Sequence, residues 1–507
     1  MVTSGKWREY ILMKIPKEVK KILTTLEAVG FEAYIVGGCV RDILLEKKPK
    51  DWDVATNANP DEIQKLFPDS FYENRFGTVG VKISALFTKS EAKQSGDSEN
   101  EAIKVVEVTT YRVESNYSDK RHPDKVKFTT SLEEDLKRRD FTINALAMSV
   151  DGKLVDLFNG MKDLKEGFIK AVGNPDERFN EDALRLMRAI RFCAQLNFTI
   201  EENTLKAIKK NAELIKKIAV ERVNDELVKL ISTKNAYNGI LFMKDTGLLH
   251  IVLLELAKGI GVSQAKHHIY TVFEHNILAL KWAAEHDYPV HVRFAALFHD
   301  IGKPQTKRGS DKEATFYGHE VVGARIVRKL MERLKFSREF TERVVTLVRY
   351  HLFYYNVDEV TESSVRRLIA KVGAENMDDL VKVRICDRMG SGVPKPEPYR
   401  LRHFRYMIDK VQKDAISVGM LKVSGNDIME YLNIKPGPKV GQILNTLLDE
   451  VLDDQSKNKK VYLKKRAKEL GKLNDNELEK LKKEAVKKQE KLEEKVNQDI
   501  KEKYYLK

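Results

Sequence analysis

The chain runs Tyr34-Ile35-Val36-Gly37-Gly38-Cys39-Val40-Arg41-Asp42-Ile43-Leu44 and, a short loop later, Asp51-Trp52-Asp53-Val54-Ala55-Thr56. Tyr34 to Val36 are aromatic or β-branched, as a buried strand prefers. Gly37-Gly38 ends that strand and lets backbone N–H groups approach an anion with no Cβ in the way. Val40 to Leu44 reads as a helix opening, whose N-terminus favours phosphate, and Arg41 in its first turn can add a bidentate phosphate contact. Asp51 and Asp53 stand two apart, a spacing that on a strand turns both carboxylates to one face. Mg²⁺ prefers one or two carboxylates plus substrate phosphates, and a pair of ions can activate an attacking oxygen and stabilise a leaving one. A bare Asp-x-Asp is most often a solvated loop, and a lone Gly-Gly is most often a turn. A phosphate cradle placed just ahead of a carboxylate pair is what implies nucleotidyl transfer.

Gly-Gly-x-x-Arg followed by Asp-x-Asp resembles the head domain of the class II tRNA nucleotidyltransferase and bacterial poly(A) polymerase family. The resemblance implies an α+β chain: a head like the palm of DNA polymerase beta, with a mixed or antiparallel sheet and helices, then an all-α neck, an HD domain and a tail. It also implies Mg²⁺ at Asp51 and Asp53 in the head.

Working outward, Pro16 to Val29 reads as an amphipathic helix closed by Gly30, and Asn59-Pro60 starts a short helix over 61–67. Thr78 to Ala85 alternates as a strand, Lys89 to Glu101 reads as a polar loop, and Ile103 to Arg112 reads as the next strand. That last strand places Glu107 where it could be a third carboxylate for the metal pair or an ordinary cross-strand charge. Tyr117 to Pro123 is polar and without periodicity, and is expected to be mobile; in the family the matching loop helps switch specificity from C to A, and its full length here favours A addition. Lys137-Arg138-Arg139-Asp140-Phe141-Thr142-Ile143-Asn144-Ala145 matches the family's second motif. Arg138 and Arg139 could hold triphosphate or ribose, Asp140 could orient an arginine or accept from a sugar hydroxyl, and Asn144 offers both donor and acceptor. Ser149 to Leu157 reads as a hairpin with an Asp-Gly turn, followed by Asp156 to Gly160, which is similar to the third motif.

Arg178 to Phe192 reads as one strong helix on which Asp182 and Arg185, three apart, share a face. Alone, such a pair would be a solvated ion pair worth under ~1 kcal/mol. Cytosine and adenine, however, each present an exocyclic amine beside a ring-nitrogen acceptor. A carboxylate accepts from the amine and a guanidinium donates to the ring nitrogen, whereas guanine and uracil reverse both partners. Glu181-Asp182-x-x-Arg185 matches the fourth motif, to which the family assigns that template role. Arg188 and Arg191 continue the face toward phosphate. Glu221 to Leu227 resembles the fifth motif, a helix that props the fourth.

A second cluster follows: His267-His268, His275, His299-Asp300, Lys303, His319, His351 and Asp387. Adjacent His-Asp among apolar residues is costly to bury unless it binds metal. His275, His299, Asp300 and Asp387 resemble the HD phosphohydrolase superfamily, with His319 and His351 where its dinuclear members carry further ligands. A divalent metal is implied, its identity left open by nitrogen and oxygen donors, with water activated to attack a phosphoester and Lys303 neutralising charge on the phosphate. Related enzymes associate this domain with phosphatase and 2′,3′-cyclic phosphodiesterase activity.

Ser424 to Met429 opens a helix with an Asn/Asp cap, and Pro436 to Gly441 turns into another that ends near Asp454. This stretch resembles the tail that grips tRNA, with Gly437 and Lys439 toward phosphate. The Lys/Glu-rich residues 457–507 carry a broken leucine stripe, expected as a solvated or coiled helix. The expected domains are 1–157 head, 158–235 neck, 236–400 HD, 401–455 tail and 456–507 charged extension.

Composition agrees. A chain of 507 residues, 42% hydrophobic and 33% charged, is too long for one core. Its net charge of +14 favours nucleic acid, although a lysine-rich composition raises charge without any ligand. Cys39, Cys193 and Cys386 are too scattered for a disulfide framework or a zinc ribbon. Met1 to Lys17 lacks a signal-peptide core, and no apolar run approaches ~18 residues, so no membrane and a cytoplasmic location are expected. The expected partners are the tRNA 3′ end, ATP and CTP; the oligomeric state is left open. The alternatives are an A-adding enzyme or poly(A) polymerase, and a phosphohydrolase whose head only binds RNA.

Overall fold

The computed structural model describes residues 14–74, 77–82, 105–115, 125–264, 269–309, 313–357, 359–413 and 421–506. The loops expected over 89–101 and 117–123, and His267-His268, lie outside the described residues. The chain forms two compact units, Met1–Glu342 and Arg343–Lys507. The division falls within the stretch expected as one HD domain, so His351 and Asp387 stand in the second unit.

The first unit opens on an α+β layer. Its strands are β1 (Ala33–Val36), β2 (Asp53–Thr56), β3 (Ser70–Asn74), β4 (Thr78–Lys82), β5 (Val105–Thr110), β6 (Arg112–Ser115), β7 (Lys125–Phe128), β8 (Leu146–Met148) and β9 (Leu154–Asp156). Seven of them form one sheet in the order β3-β4-β5-β2-β1-β8-β9. All neighbours are antiparallel except β2 and β5, so the sheet is mixed. Val19, Ile22, Leu23 and Leu26 of the Lys17–Ala28 helix pack with Ile35, Trp52, Val54 and Val108 in one core. Val36, Ala55, Tyr111, Leu136 and Ala147 form a second cluster. The successive residues Val54 and Ala55 fall in different clusters, as alternation along a strand requires.

Local chemistry sets the ends of the elements. Asn59 caps the Pro60–Leu66 helix in a capping box with Glu62. The β8–β9 hairpin turns through Gly152, at φ 79°. The head does not stop at 157. Phe141 bridges Ala171, Thr142 N–H donates to Lys170 O at 2.9 Å, and Val172 N–H donates to Asp140 O at 3.1 Å. Residues 160–172 are thus stitched to the turn after Arg139. A Cβ on Gly160 would stand 2.2 Å from Thr142 O, so only glycine allows that approach.

The rest of the first unit is mainly helical. The largest departure is at 178–192, where one helix was expected. Two are found, Pro175–Glu181 and Leu184–Leu196, with Asp182 between them in extended backbone at φ −128°, ψ 104°. The Asp182 carboxylate accepts from Leu184 N–H at 3.0 Å, so the side chain starts a new helix in place of continuing the old one.

The described second unit is helical, including Glu362–Val372, Met377–Gly390, Tyr399–Lys413, Gly425–Leu432, Pro438–Asp453, Lys460–Leu470 and Asp475–Lys503. Ser424, not Asn426 or Asp427, caps the Gly425–Leu432 helix; Asp427 is the reciprocal member of its capping box. Leu463, Ala467, Leu470 and Leu478 share one core with Ile428, Ile443, Leu447 and Val451. The expected boundary at 455 therefore separates no cores, and the lysine-rich extension is half of the tail domain. At the far end of the Asp475–Lys503 helix, Tyr504 Oη donates to Asp409 at 2.9 Å. No helix among the described residues is long and apolar enough to cross a membrane.

Candidate active sites

Asp53 opens β2, and Asp51 sits in the bend just ahead of it. Asp51 is exposed, Trp52 buried, Asp53 half-buried and Val54 buried, so both carboxylates leave the side on which Trp52 and Val54 enter the core. In the parallel β2–β5 register Asp53 lies opposite Glu107, which puts the third carboxylate on the same face. Gly37 borders them at φ 78°, ψ −134°, a backbone that L side chains rarely adopt. A Cβ there would stand 3.0 Å from Arg139 Nη1 and 3.7 Å from Asp53 Oδ2. Gly38 starts the Gly38–Leu44 helix, two residues ahead of the expected opening at Val40.

The arginines are more committed than expected. Arg41 was read as a phosphate ligand in a helix turn, but it is 4% exposed and donates to Asp42 Oδ1 at 2.7 and 2.9 Å and to Asn144 Oδ1 at 2.8 Å. It organises the second motif from inside. Asn144 Nδ2 in turn donates to Asp140 Oδ1 at 3.1 Å, and Arg188 reaches Asp140 Oδ2 with Nε at 2.8 Å and Nη2 at 2.6 Å. Asp140 thus orients an arginine. Burial pushes its carboxyl up, but the Arg188 guanidinium and the Asn144 bond outweigh this and hold it down at about 2.

Asp135 was missed. It is buried and accepts from Arg138 at 2.6 and 2.9 Å and from Arg139 at 3.1 Å. Its spacing three and four residues before those arginines was the available signal. Burial pushes the Asp135 carboxyl up, and the two guanidiniums outweigh it and hold it below the usual carboxylate range.

In the neck, Asp182 and Arg185 do not share one helix. Arg222 Nη2 donates to Asp182 Oδ2 at 3.2 Å. Arg185, 8% exposed, donates to Glu181 at 2.7 Å and to the carbonyls of Arg178 at 3.1 Å and Arg138 at 2.8 Å. The last bond ties the second motif to the Leu184–Leu196 helix. Arg191 was expected to face phosphate, but it pairs with Glu226 at 2.5 Å. Arg222 and Glu226 belong to the Val220–Ile231 helix, which props the fourth motif as expected. Phe192 gathers three guanidiniums, with Arg191 at 4.0 Å, Arg41 at 5.2 Å and Arg188 at 5.3 Å from its ring centroid.

Further along the first unit, His275 Nε2 lies 2.9 Å from His299 Nε2 and 3.2 Å from Asp300 Oδ2. His299 Nε2 is 3.4 Å from the same oxygen, and His319 Nε2 is 3.1 Å from Oδ1. Lys303 Nζ lies 2.5 Å from Asp300 Oδ2 and 2.7 Å from Gln264 Oε1. His299 Nδ1 faces Ala296 O at 2.8 Å and His319 Nδ1 faces Phe316 O at 2.7 Å. A ring nitrogen facing a carbonyl carries the proton, which leaves Nε2 as the donor to a cation. Buried imidazole nitrogens converging on a carboxylate, with no thiolate, fit a divalent ion. Burial pushes the Asp300 carboxyl up, and the Lys303 ammonium and His299 outweigh it and hold it well below the usual range.

In the second unit, His351 is fully buried with Nδ1 on Val348 O at 2.7 Å, the same orientation device. Asp387 accepts from Arg384 at 2.6 Å. Lys439, expected toward phosphate, donates to Leu473 O at 3.2 Å, because the extension packs against its helix. Gly437 is in extended backbone that any residue adopts, and a Cβ there would stand 3.8 Å from Lys435 O.

A mixed sheet bearing three carboxylates beside a glycine corner, then helices bearing a His-Asp cluster, define a nucleotidyltransferase head joined to an HD domain. Family models agree: the poly A polymerase head domain matches residues 33–170, the "probable RNA and SrmB-binding site of polymerase A" 197–260, and the HD domain 268–389. The chain is 36% identical over 463 residues to the CCA-adding enzyme of Ligilactobacillus salivarius (strain UCC118), covering 91% of this chain and 98% of that one. It is 31% identical over 456 residues to the CCA-adding enzyme of Lactococcus lactis subsp. cremoris (strain MG1363), covering 89% and 96%. The crystal structure of the Bacillus stearothermophilus CCA-adding enzyme in complex with CTP superposes with a TM-score of 0.57 at 26% identity, covering 89% and 96%. The chain belongs to the CCA-adding enzyme family. Nucleotidyltransferase and HD domains use divalent metal ions.

Proposed function

We propose that this chain adds C, C and A from CTP and ATP to the tRNA 3′ end, releasing pyrophosphate without a nucleic-acid template. The observation that carries this is Asp53 beside Gly37 and opposite Glu107, in a chain that matches a CCA-adding enzyme over 98% of that enzyme's length. Asp51 and Asp53, with Glu107 as a third oxygen source, are the residues that would hold Mg²⁺; when bound, it supplies positive charge for the reacting phosphate. The Gly37-Gly38 backbone cradles the triphosphate. Arg139, fixed by Asp135 next to that corner, faces the same phosphates. Asp182 accepts from the base amine, and Arg185 donates to the ring nitrogen. Arg41, Asn144, Asp140 and Arg188 position this machinery through one another. A cytoplasmic location belongs to the same reading.

The HD residues are assigned phosphohydrolase chemistry on phosphomonoesters or 2′,3′-cyclic phosphates. His275, His299, Asp300 and His319 of the first unit would hold a divalent ion, which supplies Lewis acidity when bound. Lys303 offers its ammonium to a phosphate oxygen.

The test is incorporation into tRNA lacking its last three nucleotides, with CTP alone, ATP alone and both. Stepwise addition of two C and then one A is expected. Incorporation of A without C would replace this reading with an A-adding enzyme or poly(A) polymerase. Pyrophosphate-free binding alone would leave only an RNA-binding head beside a hydrolase.

A further inference from the structure

The second unit carries a groove of about 510 Å³ between residues 350–354 and the Glu362–Val372 helix. Ser364, Arg367, Leu368 and Lys371 recur every three or four residues, so one helix face forms a wall. Across from it stand Leu352 and Tyr354, 47% and 80% exposed. The floor is Phe353 stacked on Phe404, with centroids 4.6 Å apart and planes at 21°.

Charge completes the picture. Arg366, one residue before Arg367, is tied to Glu362 at 3.0 Å. Among the described residues neither Arg367 nor Lys371 has an ion pair. The acidic lining residue, Glu359, accepts from Asn356 at 3.2 Å. Two cations one helical turn apart, an exposed aromatic ring and an apolar floor are the elements of a single-strand platform: bases stack on the ring, and the cations follow the backbone. An acidic peptide would satisfy the cations but leave the ring without a role.

We propose that this groove binds single-stranded RNA, with a base stacked on Tyr354 and backbone phosphates on Arg367 and Lys371. The assignment rests on the groove alone, so it stands or falls independently of the head and HD chemistry.

The test uses the full chain with a short unstructured oligoribonucleotide carrying 4-thiouridine, ultraviolet crosslinking, and identification of the crosslinked peptide. A crosslink within residues 350–371 is expected. In titrations scored at that peptide, Tyr354→Ala weakens binding about tenfold at every salt concentration, and Tyr354→Trp restores it. Arg367→Glu combined with Lys371→Glu weakens it further and lowers the salt slope by about 1.4, as loss of two phosphate contacts to a single strand requires. All three positions line the open groove, and unchanged melting temperatures control for folding. Crosslinks only elsewhere in the chain would overturn the proposal. So would a poly-glutamate peptide competing at this site as well as RNA does.

Discussion

Asp140 accepts from Arg188, Asn144 and the Phe141 backbone N–H while only 8% exposed. Its carboxyl is held at about 2, below the roughly 3.9 of an unfolded aspartate. A depressed folded value gives stability that is present above the unfolded value and is lost as pH falls toward the folded one. The difference is worth about 2–3 kcal/mol. Asp140→Asn should therefore cost about that much at pH 7 in urea unfolding, and the gap to the unchanged chain should close between pH 5 and pH 2. A gap constant across that range would contradict the assignment. At Gly37 the expectation concerns activity. Alanine there meets Arg139 at 3.0 Å in a glycine-only backbone. Displacing the cradle should lower nucleotide incorporation about a hundredfold, with a smaller effect on melting temperature. Arg41 shows the limit of reading residues one at a time. Its motif position was legible, but its bond to Asn144, 103 residues away, was not.

Among the elements, the break at Asp182 was not legible. The apolar spacing runs unbroken from Phe179 to Phe192 with no proline or glycine. The break depends on a carboxylate that caps Leu184 and on Arg222, 40 residues on. Under the proposed function Asp182 has two tasks, capping and base selection, that substitution can separate. Asp182→Ala should remove a cap worth about 1 kcal/mol and lower discrimination against UTP and GTP about tenfold or more. Asp182→Asn keeps an acceptor for Leu184 and should recover stability without recovering discrimination, since its amide reverses one bonding partner. Equal recovery of both would mean that the residue acts only as a cap. The strands, by contrast, were readable. Alternation at 51–54 and the aromatic and β-branched run at 34–36 are local signals, and the mixed sheet with Glu107 opposite Asp53 follows them.

At the scale of the molecule, the head and HD motifs were legible because their chemistry is concentrated in short runs. The carboxyl-terminal fold was not. The leucine stripe over 470–481 looks broken because half of its core is supplied by Ile443, Leu447 and Val451 on an earlier helix. Deleting residues 456–507 should therefore expose that core, lowering the melting temperature and raising binding of a hydrophobic dye. Leu470→Ala alone should cost about 2–4 kcal/mol. A truncated chain that melts as the full one does would restore the solvated-helix reading.

The proposed role of Asp51 and Asp53 is a shared one, in a single reaction beside the glycine corner. It is tested most directly by incorporation of labelled CMP and AMP into truncated tRNA by the Asp53→Asn variant, at saturating Mg²⁺ and with the melting temperature measured alongside. Asp53 is half-buried at a strand end, so the fold should persist while incorporation falls about a thousandfold or more. Incorporation within tenfold of the unchanged chain, in a variant that melts normally, would contradict the account.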